Sequence, residues 1–151
     1  MQVRTAVILL AVAIGLGLGE PAVAETHVGI RGGVYTGESD AFVGAELLER
    51  IAHRLYFDPN LEYVFVDGLT FITLNGDIHY DLHTHSPAYV WIGAGPAILY
   101  KNPDGPAPSV TKAGANFFMG VGLRGPVIPY VQAKVIASSD SEFVLAFGLR
   151  F

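Results

Sequence analysis

A chain of 151 residues with no cysteine and a formal net charge of -5 has room for one domain. It holds neither disulfides nor thiolate metal sites, and its charge excludes a basic surface for nucleic acid, so no nucleic-acid partner is expected. Charged residues are 15% of the chain, against roughly 25% in ordinary soluble domains, yet no stretch after residue 24 is long and apolar enough for a transmembrane helix. Low charge without a helical span is unusual in a soluble protein and ordinary in a β-barrel in lipid.

The first residues, Met1–Thr5, carry Arg4 and precede an apolar run, Ala6–Leu18; Ala22-Val23-Ala24 then gives a small-x-small site before Glu25. This is the three-part form of a secretory signal peptide. An N-terminal membrane anchor is the alternative, and with no cysteine there is no lipid attachment. The expected organisation is a signal peptide over 1–24 and a single domain over 25–151.

From Thr26 the sequence breaks into short alternating segments separated by turn residues. Alternate side chains of a strand point to opposite faces, so each segment has two readable faces. The first strand is read over 26–36, with Val28, Ile30 and Val34 on one face and His27, Arg31 and Tyr35 on the other. After a loop at Gly37–Asp40, the second covers 41–50, where Val43, Ala45 and Leu47 oppose Gly44, Glu46 and Leu48. Ala45–Ala52 would also suit a short helix, since Ala, Leu and Glu favour one, but a lone helix that short is marginal and the flanks have period two.

Ile51–Arg54 turns the chain into a third strand, 55–66, with Leu55, Phe57, Leu61, Tyr63 and Phe65 opposite Asp58, Asn60 and Glu62. Asp67-Gly68 reads as a two-residue hairpin turn of type I′, which needs positive φ at both positions. The fourth strand, 69–82, sets Ile72, Leu74, Ile78, Tyr80 and Leu82 against Thr73, Asn75, Asp77, His79 and Asp81. The turn fixes a register in which Glu62 faces Thr73, Asn60 faces Asn75, Asp58 faces Asp77 and Arg54 faces Asp81. Tyr63, Leu61 and Phe57 then meet Ile72, Leu74 and Ile78. Polar meets polar and apolar meets apolar, and a one-residue slip would mix them.

His83–Pro87 is the next turn. The fifth strand, 88–101, carries Trp91 and Gly93-Ala94-Gly95, and its facing stays open. Asn102–Lys112, with three prolines and a glycine, is the longest loop. The sixth strand, 113–124, sets Phe117, Met119, Val121 and Leu123 against Asn116, Gly120, Gly122 and Arg124. After a turn at Gly125–Val127, the seventh, 128–137, sets Val131, Ala133 and Val135 against Tyr130, Gln132 and Lys134. Ser138–Ser141 leads into the eighth, Glu142–Phe151. There Phe143, Leu145, Phe147, Leu149 and Phe151 share one parity, and Glu142, Val144, Ala146, Gly148 and Arg150 the other.

Strands of about ten residues suit a tilted crossing of a bilayer. The expected fold class is therefore all-β, an eight-stranded antiparallel up-and-down transmembrane β-barrel. Parity alone does not separate it from a soluble lipocalin-like ligand-binding barrel. Three features favour the membrane. Nearly every strand has a face of large aliphatic and aromatic side chains. The other face is too poor in charge and too rich in glycine for a water-facing surface and suits a narrow lumen. The aromatic row of the last strand would template aggregation at a soluble edge but not in a closed barrel in lipid.

With the signal peptide and eight strands, two patterns carry a resemblance over the whole mature chain: Tyr89-Val90-Trp91-Ile92-Gly93-Ala94-Gly95 after a turn, and Gly148-Leu149-Arg150-Phe151 at the end. The chain resembles the small outer-membrane β-barrel superfamily, of opacity-protein, OmpX and OmpA-barrel type. The resemblance implies residence in the bacterial outer membrane with both ends periplasmic. The turns at Ile51–Arg54, His83–Pro87 and Gly125–Val127 are then periplasmic, and Gly37–Asp40, Asp67-Gly68, Asn102–Lys112 and Ser138–Ser141 face outward. It implies that Phe143, Leu145, Phe147, Leu149 and Phe151 form the signal read by the barrel-assembly machinery. Outer-membrane lipid and lipopolysaccharide are the expected surroundings, and the barrel is expected to be monomeric. Such proteins include adhesins, structural anchors and resistance proteins, so the function expected is a structural, membrane-integrity or interaction role without catalysis or cofactor. A narrow pore or small-ligand transport barrel is the alternative. The short loops count against an adhesin-type role.

The inward parity gathers Arg31, Glu46, Arg50, Asp58, Glu62, Asp77, His79, Asp81, Arg124, Lys134 and Arg150. Unpaired buried charge is very costly, so a lumen of mutually satisfied charges is expected. Asp58 and Asp77 face each other, and two adjacent carboxylates do not both ionise cheaply without a cation; Arg31, Arg124, Lys134 or Arg150 should reach them. Asp77, His79, Asp81, His83 and His85, with Asp58, are metal-ligand types. Residues two apart are spread along a strand, however, and His83 and His85 lie in a turn, so no metal site is expected. Acyl-chain hydrolysis would need a serine and a histidine within about 3 Å. Ser39, Ser138, Ser139 and Ser141 belong to the outer rim, whereas His27, His53, His79, His83 and His85 lie at or toward the periplasmic end, so none is expected.

Overall fold

The computed structural model describes residues 25–151; the expected signal peptide lies outside the described residues. Eight strands follow one another: β1 (Thr26–Tyr35), β2 (Asp40–Ala52), β3 (Leu55–Val66), β4 (Leu69–Leu82), β5 (Ala88–Pro103), β6 (Val110–Leu123), β7 (Ile128–Ala137) and β8 (Glu142–Arg150). Each pairs antiparallel with its sequence neighbour, and β8 returns to β1, closing an up-and-down barrel. The seam runs from Gly29 opposite Arg150 to Tyr35 opposite Val144. Reciprocal backbone bonds extend it: Phe151 N–H donates to Val28 O at 2.9 Å, and Val28 N–H to Phe151 O at 3.3 Å. Closure leaves no edge strand, which is the condition for holding backbone in hydrocarbon.

Period-two alternation produces strand throughout, and the helical alternative for Ala45–Ala52 fails because that run is paired to β1 and β3. β2 continues to Ala52 through a bulge after Arg50, so the turn shrinks to His53-Arg54, with Arg54 at φ 60°. The β3–β4 register is the one set by Asp67-Gly68, with Asp58 on Asp77, Asn60 on Asn75 and Glu62 on Thr73; Asp81 N–H donates to Arg54 O at 2.9 Å. The turn itself is not type I′. Only Gly68, at φ 69°, is left-handed, the demand of a turn that needs a glycine at its second central position.

The expected long loop contracts to residues 104–109. Lys101 still pairs with Val110, and Pro103 with Leu69 of β4. Past Lys101, β5 has a neighbour on one side only, the place a proline tolerates in a strand. The open facing of β5 resolves with Tyr89, Trp91, Ala97 and Leu99 buried inside and Ile92 and Ile98 outside. Glycine and proline at Gly93, Gly95 and Pro96 hide that alternation in the sequence.

Polarity is inverted relative to a soluble barrel. Phe147 is 62% exposed and Met119 57% on the outer wall, whereas Glu62, Lys134 and Arg150 inside are 0% exposed. The lumen is layered. Toward the loops between β1/β2, β3/β4, β5/β6 and β7/β8 it holds an apolar cluster that includes Tyr35, Phe42, Val64, Phe71, Leu99, Ile136 and Val144. Toward the end that carries residues 25 and 151 it holds Tyr89, Trp91, Phe118 and Tyr130. The rings of this second cluster sit on cross-strand glycines: Trp91 pairs with Gly120, Phe118 with Gly93 and Tyr130 with Gly148. A Cβ at Gly93 would lie 2.1 Å from Phe118, and one at Gly120 2.3 Å from Trp91. The glycine-rich inner parity is thus a set of seats for aromatic rings, a known device for holding register.

Candidate functional site

Between the two apolar layers the lumen carries a charge network. Three cations (Arg31, Lys134, Arg150) and four carboxylates (Glu46, Asp58, Glu62, Asp77) are buried in it. Glu62 is one hub. Lys134 Nζ donates to it at 2.8 and 2.9 Å, Tyr35 OH at 2.5 Å and Thr73 Oγ1 at 3.1 Å, and Arg31 Nη2 pairs with it at 3.2 Å. Glu46 is the other. Arg150 Nε donates to it at 2.6 Å, Tyr130 OH at 2.8 Å and Arg31 Nη1 at 3.3 Å. Arg31 therefore bridges the two hubs. Pairing of this kind is what makes buried charge tolerable, although Arg31 Nε, Arg150 Nη1 and both Asp58 carboxylate oxygens have no hydrogen-bond partner among the described residues.

Asp58 and Asp77 meet different fates. Arg150 Nη2 reaches Asp58 at 3.6 Å, within the range where an opposite charge is useful. Asp77 instead accepts hydrogen bonds from Asn60 Nδ2 at 3.0 Å and Asn116 Nδ2 at 2.8 Å. The amides continue as a chain, with Asn75 donating to Asn60 Oδ1 at 2.9 Å and Asn116 to Asn75 Oδ1 at 2.8 Å. Arg150 also stacks over Tyr130 at 4.3 Å and Trp91 at 5.0 Å, a favourable site for a guanidinium.

His79 is buried, parallel-stacked on Trp91 at 5.0 Å, with Nε2 2.7 Å from Asp81. Asp81 itself is only partly buried. Arg124, read as a lumen cation, is exposed. It lies one residue past β6, where its N–H donates to Pro87 O at 3.0 Å, and its guanidinium lies over the Tyr89 ring at 5.9 Å. The strand stops before the parity can carry Arg124 inward. Arg50, also on the inward parity, is exposed at the β2 bulge and pairs with Glu25 at 3.7 Å.

Phe143, Leu145, Phe147, Leu149 and Phe151 form one exposed row on the outer wall. Ser39, Ser138, Ser139 and Ser141 lie in or beside the β1–β2 and β7–β8 loops, and the five histidines lie at or toward the opposite end. His83 and His85 pack edge to face at 4.6 Å, and Arg54 Nη2 donates to His83 Nδ1 at 2.7 Å. Among the described residues no three His, Asp or Glu side chains converge as a metal would require. At the loop rim Lys112 pairs with Asp140 and holds its carboxyl below the usual carboxylate range. Lys101 lies over the Phe71 ring at 4.4 Å, and its ammonium is 3.8 Å from Glu142.

Tyr35, Asn60, Thr73, Asn75, Asn116, Tyr130, Gln132 and Trp91 are the network members that sequence reasoning left out. Gln132 accepts from Trp91 Nε1 at 3.1 Å. Their parity was legible on every strand but β5; their height in the barrel was not.

No protein-family model and no curated protein sequence matches the chain. Solved structures do share its fold. The N-terminal β-barrel domain of Pseudomonas aeruginosa OprF is 12% identical, with a TM-score of 0.73 over 85% of this chain and 96% of that one. Neisserial surface protein A (NspA) is 13% identical, with a TM-score of 0.60 over 84% and 94%. Ail, the attachment invasion locus protein of Yersinia pestis, is 12% identical, with a TM-score of 0.52 over 85% and 97%. At these identities the likeness establishes the fold, which is that of the small eight-stranded outer-membrane β-barrels.

Proposed function

We propose that this barrel is an integral protein of the bacterial outer membrane with a structural or membrane-integrity role, no catalysis and no conduction. One observation carries the reading: a closed barrel with an apolar outer wall encloses a paired charge network that is sealed toward the loops. Tyr35, Phe42, Phe71 and Leu99 are 2–3% exposed, and Val64, Ile136 and Val144 are 0% exposed. Side chains buried this fully fill the lumen at that level as they would a protein core, which favours a sealed barrel over the narrow pore. Separation of the rim serines from the histidines supports the absence of acyl-chain chemistry. The end that carries residues 25 and 151 faces the periplasm, and the row Phe143–Phe151 meets lipid and carries the assembly signal. Lipid and lipopolysaccharide surround a monomer.

The test is fractionation followed by heat-modifiability on a gel and planar-bilayer recording. A membrane-borne band that shifts on boiling, with no steady channels, is expected. A soluble, heat-insensitive species would overturn the membrane reading, and steady ion current would overturn the sealed lumen.

A further inference from the structure

The two ends of the lumen differ in access. The loop end is packed shut. The other end opens into a cavity of about 260 Å³ lined by residues that include Leu48, Tyr56, Tyr89, Ile128, Asp81 and Arg124. Tyr89 packs against Trp91 at 5.0 Å, and Trp91 in turn lies under Arg150 and beside His79. The cavity is therefore a dead end with an aromatic floor, not the mouth of a channel.

Its charges are unequally used. Glu25 is engaged by His27 at 3.4 Å and Arg50 at 3.7 Å, and Asp81 by His79 at 2.7 Å. Arg124 makes no ion pair among the described residues; its contact is the face of Tyr89. A guanidinium held on an aromatic ring keeps its planar fork of donors free, and that fork matches a carboxylate bidentately. Below it, Leu48, Tyr56, Tyr89 and Ile128 supply an apolar wall. The space is smaller than the pockets that take drug-sized molecules, so the occupant is short.

We propose that this mouth binds a carboxylate borne on a short apolar or aromatic stem, the carboxylate on Arg124 and the stem against Tyr56 and Tyr89. The same chemistry comes from a free small organic acid or from the C-terminus of a peptide. Trp91 is the single tryptophan of the chain and lies against Tyr89, so its emission reports on occupancy.

The full barrel in lipid nanodiscs is titrated with 3-phenylpropionate, with its uncharged amide, and with a tripeptide ending in phenylalanine, its C-terminus free or amidated. A saturable change in Trp91 emission with a carboxylate probe is expected, with binding weaker by about tenfold or more for the amide, as loss of a charged hydrogen-bond partner implies. Arg124→Gln should weaken the carboxylate by a similar factor. Arg124 is exposed and outside the lumen network, so that variant keeps the heat-modifiable fold. Binding of the free acid alone or of the peptide alone supports the proposal and identifies the source. No saturable change with either carboxylate, or equal binding of acid and amide by the unaltered barrel, overturns it.

Discussion

The loop half and the terminal half of the lumen are built from the same eight strands and pack by opposite means. The loop half is filled as a soluble protein fills its core, with Phe42, Val64, Phe71, Leu99 and Ile136 in contact. The terminal half is filled by aromatic rings laid on glycines, beneath a charge network in which Arg31 ties the Glu46 and Glu62 hubs and Arg150 ties Glu46 to Asp58. Apolar packing is non-directional and degrades gradually when trimmed. A buried charge network is directional and fails abruptly when one member is lost. This barrel is therefore brittle at its charge network and forgiving in its apolar half.

The largest effect is expected from Arg150→Met. It strips Glu46 of its shortest bond and leaves Asp58 without a cation within ion-pair distance. Breaking a buried pair on one side costs about 3–5 kcal/mol, which urea unfolding in detergent or lipid would read. Adding Glu46→Gln to the same chain should recover part of that loss, since the cycle measures the coupling. A neutral Arg150→Met would erase the distinction between the two halves.

A smaller effect is expected in the apolar half. Ile136 is fully buried, and Ile136→Val removes one methylene for about 0.5–1.5 kcal/mol. The same unfolding assay should show that loss unchanged at high salt, since no charge is involved. A cost comparable to that of Arg150→Met would mean that the loop half is as brittle as the network.

The smallest effect is expected at the rim. Asp140 is exposed, and its bond to Lys112 lies at the surface. Exposed pairs of this kind contribute little, so Asp140→Asn should leave the unfolding midpoint unmoved. A clear shift would show that the loop rim, rather than the lumen, governs stability.

The sequence alone determined the face of nearly every residue and the β3–β4 register. Alternation is a local property of strands, and the polar-on-polar match of Asp58 with Asp77, Asn60 with Asn75 and Glu62 with Thr73 admits one alignment. It also separated the outer row of β8 from Arg150. Only the tertiary structure decided which inward side chains meet. Lys134 finds Glu62 across 72 residues, and Arg150 finds Glu46 across 104. Those contacts depend on the stagger that barrel closure imposes on strands that are not neighbours, and alternation carries no information on height. The same limit explains Arg124, whose parity pointed inward although β6 ends at Leu123. It explains Trp91 too, whose ring is placed by Gly120 on the next strand rather than by anything in its own.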